Sequence, residues 1–207
     1  MTGGRNVAGG EYGARLAGVL GEGAPGRPEP RGWGGLEASL GVELPADFKE
    51  IVAAYAPVQL NGHLILWHPD TAQFNLAQRV ERNIRAFEAI DWRALGVTFR
   101  GGIPRFGGPD GLIPVAGTDR GETVFLHRAA DGASWSVVGF SGDGDGDGER
   151  FHEYELDFAE WLHGYLAGEE RVGRGSAVFY PGPLLIEDLP RSPGERVVKR
   201  FGPQRGM

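Results

Sequence analysis

The chain has 207 residues, 41% of them hydrophobic, which is enough for one globular core of ordinary size. With no cysteine, disulfides and thiolate metal sites are excluded and a reducing compartment is expected. A net charge of −7 argues against nucleic acid as a direct ligand, no stretch approaches the roughly 18 apolar residues of a membrane helix, and MTGGRNVAGG has no leader pattern, so a cytoplasmic protein without nucleic-acid or membrane partners is expected.

In chain order, EYGARLAGVL (11–20) sets Tyr12, Leu16, Val19 and Leu20 on one helical face, and GEGAPGRPEP breaks the pattern as a linker. Trp33, Leu36 and Leu40 recur at helical spacing and stop at Gly41. LPADFKEIVAAYAP opens a third helix: Pro45 suits its first position, Asp47 suits the positive end of the dipole, and Phe48, Ile51, Val52 and Tyr55 form the stripe before Pro57. HLILW (63–67), entered through Asn61-Gly62, reads as a strand covered on both faces. Residues 74–90 return to helical spacing through Leu76, Val80, Ile84 and Phe87, with Glu81 and Arg85 one turn apart, and 99–111 reads as loop.

Three strand-like runs, 111–117, 122–127 and 134–140, lie at hairpin distances and read as an antiparallel meander, with Pro114 marking an edge or a bulge. The acidic loop GDGDGDGER (142–150) is then expected to lead into a helix capped by Asp157, whose Phe158, Trp161, Leu162, Tyr165 and Leu166 form one apolar face ending at Gly168. Residues 176–190 offer a short extended segment. The domain limits are therefore a flexible N-terminus over 1–10, one domain over 11–190 and a loose basic tail over 191–207.

The block GWGGLEASLGVELPADFKEIVAAY (32–55) resembles the signature of the SUKH superfamily of Smi/Knr type, carried by Trp33, Glu37, Leu44, Pro45, Asp47, Phe48 and Lys49, with Gly62 beyond it. The likeness extends over roughly residues 12–168, through GLIPVAGTDRGETVFL and FAEWLHGYL. It implies an α+β fold, a mostly antiparallel sheet with helices packed on it. It also implies a non-enzymatic role, since many bacterial members are immunity proteins that bind and neutralise polymorphic toxins, often nucleases. Other members are regulatory scaffolds that bind a cellular partner, which stands as the alternative.

The residues themselves offer no catalytic group and no cofactor or metal set. HEYEL at His152 carries Leu156 where a metalloprotease helix needs its second histidine, and neither Ser141 nor Ser176 sits in a nucleophile elbow. The five histidines read as surface residues and the serines as turn residues. Glu37 and Asp47 read as helix caps and bridges, and Trp92 is the tryptophan least clearly assigned to a core.

The charge excess is confined. Eight acids and only Arg150 among the bases lie between Asp143 and Glu160, and the remainder of the chain is balanced. Three readings of the loop stand: slack between a strand and a helix, an acidic docking surface, or a calcium loop. The last lacks the twelfth-position glutamate, where Tyr154 stands, and the preceding helix. As a docking surface for a protein partner, a cognate toxin, it comprises Asp143, Asp145, Asp147, Glu149, Glu153, Glu155 and Glu160.

Overall fold

The computed structural model describes residues 6–23, 30–129, 132–145, 149–173 and 182–204. Helices α1 (Asn6–Leu20), α2 (Trp33–Leu40) and α3 (Ala46–Tyr55) come first, and α1 corrects the domain limit at residue 11, because its first turns take in residues 6–10 of the stretch expected to be flexible. Helix α2 ends where Gly41 takes φ 66°, and its N–H donates to the Glu37 carbonyl, a left-handed stop that costs glycine nothing. Pro45 stands one residue before α3, as its N-terminal cap position.

Among the described residues that follow, one antiparallel sheet of eight strands forms, β1 (Val58–Leu60), β2 (Leu64–Leu66), β3 (Ile113–Thr118), β4 (Thr123–Arg128), β5 (Trp135–Asp145), β6 (Glu149–Tyr154), β7 (Leu185–Asp188) and β8 (Val198–Phe201), in the order β6-β5-β4-β3-β2-β1-β7-β8. Helices α4 (Leu76–Glu88) and α5 (Phe158–Leu166) interrupt it in sequence. The α+β architecture with helices on an antiparallel sheet follows. Pro114 marks a bulge: the β3–β4 register shifts between Pro114 and Ala116.

Three elements depart from the linear reading. Strand β1 has only three residues, too few to show alternation, and exists because β2 and β7 pair with it on both sides. Strand β6 lies between the acidic stretch and α5, so that stretch is the end of a β5–β6 hairpin, with Asp145 opposite Glu149, and not slack running into a helix. The tail is corrected too: Val198–Phe201 pairs along β7 and is a strand of the sheet. Each of these segments gains its hydrogen bonds from a strand elsewhere in the chain.

Successive side chains of a strand point to opposite faces, so two cores share the sheet. On one face Val124, Leu126 and Val137 join Phe48, Val52, Phe158, Trp161 and Leu162 of the helices. On the other, Phe125, Val138, Phe140 and Phe151 meet Phe87, Trp92, Val97, Phe106 and Leu112 from the end of α4 and the segment after it. The stretch between α4 and β3 therefore closes the second face of the sheet. Gly139 marks a close approach of β5 to the segment after α5, because a Cβ there would lie 2.6 Å from the Cα of Val172.

Candidate functional site

Glu37 and Asp47 hold α2 to α3 and α3 to α5. Glu37 Oε1 accepts from the Leu44 N–H at 2.9 Å and from Lys49 Nζ at 3.0 Å, fixing the α2–α3 corner. Asp47 Oδ2 accepts from the Ala159 N–H at 2.9 Å, in the first turn of α5, whose own cap is Asp157, accepting from the Glu160 N–H at 2.8 Å. Burial pushes the Asp47 carboxyl up from its usual range, the Ala159 N–H pulls it back, and Asp157 adds to the rise. Phe48, fully buried, meets Phe158 edge-on at 4.9 Å and Trp33 at 6.0 Å. Asp47→Ala, which orphans that helix-end donor, is expected to lower stability by about 1–3 kcal/mol in urea unfolding, with Asp47→Asn losing far less. Equal losses for the two would mean that the carboxylate's acceptor role is not what matters.

Three histidines are buried, in contrast to a surface reading: His63 (4% exposed), His68 (2%) and His127 (7%). Each ends a strand or a strand loop and has a polar neighbour. His63 contacts Asp119 and lies in a stacked arrangement with Tyr165, and His68 accepts from the Asp70 N–H and approaches Arg191. An imidazole has an apolar body with polar edges, so a composition-level reading does not tell the two placements apart.

Parity places the third histidine in the most elaborate polar cluster of the second face. His127 of β4, Ser136 of β5 and Glu153 of β6 share that face, and Arg100 reaches over from the segment above it. Arg100 grips Glu153 with two bonds, Nε to Oε2 at 2.8 Å and Nη2 to Oε1 at 2.7 Å. The Ser136 hydroxyl donates to Oε1 at 2.5 Å, and His127 Nδ1 stands 3.4 Å from the same oxygen without a well-formed hydrogen bond. Burial alone would raise the Glu153 pKa. His127, Arg100 and Ser136 together outweigh it and hold the carboxyl down at about 2.

The types present, serine, histidine and glutamate, are those of a hydrolase, but their order is different. The carboxylate sits at the centre and takes the serine proton-donor bond, whereas an activated nucleophile needs its hydroxyl on the base. Arg100, Ser136 and His127 are not legible as a group in the sequence, since strand register joins only His127 and Ser136 and Arg100 reaches them through Glu153 from the segment after α4. Arg100 does carry one local sign, a positive φ of 50°.

The acids of the 143–160 segment thus fall into separate settings. The backbones of Asp143, Asp145 and Glu149 lie in the hairpin strands, and Asp147 lies outside the described residues. Glu153 is held inside, with its side chain 19% exposed. Glu155 is exposed, and Glu160, half-buried on α5, accepts from the Tyr12 hydroxyl at 3.2 Å. Of the motif residues, Trp33, Glu37, Leu44, Pro45, Asp47 and Phe48 come together at the α2–α3–α5 junction. Gly62 stands apart, with φ 67° in the β1–β2 turn beside Asn61. Among the described residues no group of three or more metal-ligating side chains converges, and no helix is long and apolar enough to cross a membrane.

A SUKH family model, described as SMI1-KNR4 cell-wall, matches residues 33–162, which run from α2 into α5 and include both the motif junction and the acidic hairpin. No curated protein and no solved structure matches the chain.

Proposed function

The chain belongs to the SMI1-KNR4 family of the SUKH superfamily, and from that premise we propose that it is a non-enzymatic immunity protein that binds and neutralises a cognate toxin. The observation that carries the reading is the confinement of the negative excess to residues 143–160, within the matched segment. Asp143 and Asp145 at the end of β5, Glu149 at the start of β6, and Asp147 between them in sequence concentrate negative charge within seven residues, and a basic partner such as a nuclease is drawn to it from a distance. Glu155, exposed beyond β6, extends the same potential. Glu153 supports the hairpin from behind through Arg100 and is not part of the contact.

Co-expression with candidate toxins encoded near its gene tests the reading: the chain is expected to bind one and to protect the cell from it, and absence of both binding and protection sinks the proposal. For the hairpin, the combined variant Asp143→Asn, Asp145→Asn, Asp147→Asn and Glu149→Gln is expected to slow association by roughly tenfold at low salt, with the difference shrinking as salt screens it. Thermal stability is expected to stay level. An unchanged association rate at low salt would remove the hairpin from the contact while leaving the immunity role standing.

A further inference from the structure

The other end of the sheet carries a different surface. Strand β8 is the last in the order, and among the described residues none pairs with its outer side. Register decides which of its backbone groups are free. On β7 the odd-numbered residues turn toward β1, where the Leu185 carbonyl accepts from the Asn61 N–H and the Leu189 N–H donates to the Pro57 carbonyl, and the even-numbered Leu184 accepts from the Gly202 N–H. In an antiparallel ladder this alternation continues along the neighbour, so Val198, Arg200 and Gly202 face β7. The N–H and C=O groups of Val197, Lys199 and Phe201 point outward.

The same three residues share a side-chain face. Arg200 pairs in register with the buried Ile186 and its Nη1 donates to the Leu20 carbonyl of α1, which places even-numbered residues on the helix side. Val197 and Phe201 lie on the opposite side and are 44% and 69% exposed, two of the five large apolar side chains left exposed among the described residues; adjacent Val198, at 59%, is a third. An edge of this kind usually carries a charge that keeps another strand away. Here the Lys199 ammonium is drawn onto Glu187 at 2.9 Å, and Arg200 onto Asp188 at 2.9 Å, so both charges are matched within the chain.

We propose that β8 is a self-association edge, on which a second copy of this chain adds its own β8 antiparallel about a two-fold axis at Lys199. In that register Val197 of each copy stands opposite Phe201 of the other, giving two apolar cross-strand pairs, and the three outward residues of each strand exchange about six hydrogen bonds. The interface is isologous and closes as a dimer. The acidic hairpins lie at the far edge of each sheet, where their mutual repulsion is least felt.

Sedimentation velocity of the full chain over a concentration series is expected to show mass rising from 22.2 kDa toward twice that value. The double variant Val197→Asp, Phe201→Asp, altered only at exposed positions, is expected to stay monomeric throughout, with the melting curve the wild type shows at dilutions where it is monomeric. Hydrogen exchange on the wild type gives a reading independent of the variant: the amides of Val197, Lys199 and Phe201 slow as concentration rises. A wild type that remains monomeric at its highest soluble concentration overturns the proposal. So does a dimer that the double variant retains, or slowing of these amides that appears only when a different protein is added.

Discussion

Trp92→Ala is expected to lower the free energy of unfolding by about 3–5 kcal/mol and the melting temperature by about 10 °C. Trp92 is 4% exposed and lies at the middle of a cluster of seven rings, stacked on Phe87 at 6.0 Å and packed on Phe106, Phe140 and Phe151 at 5.7, 5.9 and 5.5 Å. Its indole N–H also donates to the Phe87 carbonyl at 2.8 Å, tying the end of α4 to the segment that follows. Truncation leaves a cavity lined by rigid rings that cannot collapse, and leaves that carbonyl without its indole donor. Trp92→Phe is expected to recover more than half of the loss. A drop below about 1 kcal/mol for the alanine variant would mean that the second core contributes little and that the segment between α4 and β3 is a loose cover.

The acid limb of the stability curve is the second large expectation. Glu153 titrates at about 2 in the folded protein against 4.5 for an ordinary glutamate, so its folded pKa is depressed. The unfolded chain therefore takes up the proton first. The stabilisation is present above pH 4.5 and is lost as the pH falls from there toward 2; with Arg100 45% exposed and screened by solvent, it amounts to about 1–2 kcal/mol. In Glu153→Gln, urea unfolding as a function of pH is expected to show a flatter slope across that window. Superimposable acid limbs for wild type and variant would mean that the Arg100, Ser136 and His127 contacts do not favour the charged form.

The two expectations depend on different kinds of information. Trp92 and its neighbours could be read as apolar, but the partners that make the site rigid come from α4, β4, β5 and β6 and meet only because alternate residues of those strands share one face. Glu153 shows the same point more sharply. In the linear chain it is one of eight clustered acids, yet one residue of parity turns it toward His127 and Ser136, onto the side where Arg100 reaches it. Adjacent carboxylates in sequence therefore do unlike things.

What the sequence by itself determined is the part governed by local rules: the caps at Gly41, Asp157 and Gly168, the stripes of α2 to α5, the bulge at Pro114, the meander and the family motif. Helix formation and capping depend on residues within one turn of each other, so a window of a dozen residues contains the causes. Only the tertiary structure decided that Val58–Leu60, Glu149–Tyr154 and Val198–Phe201 are strands, that three histidines are inside, and that the acidic stretch ends a hairpin. The physical reason is that a strand's hydrogen bonds and half of its burial are supplied by a neighbour distant in the chain, and a short segment carries no record of that neighbour until the sheet has formed.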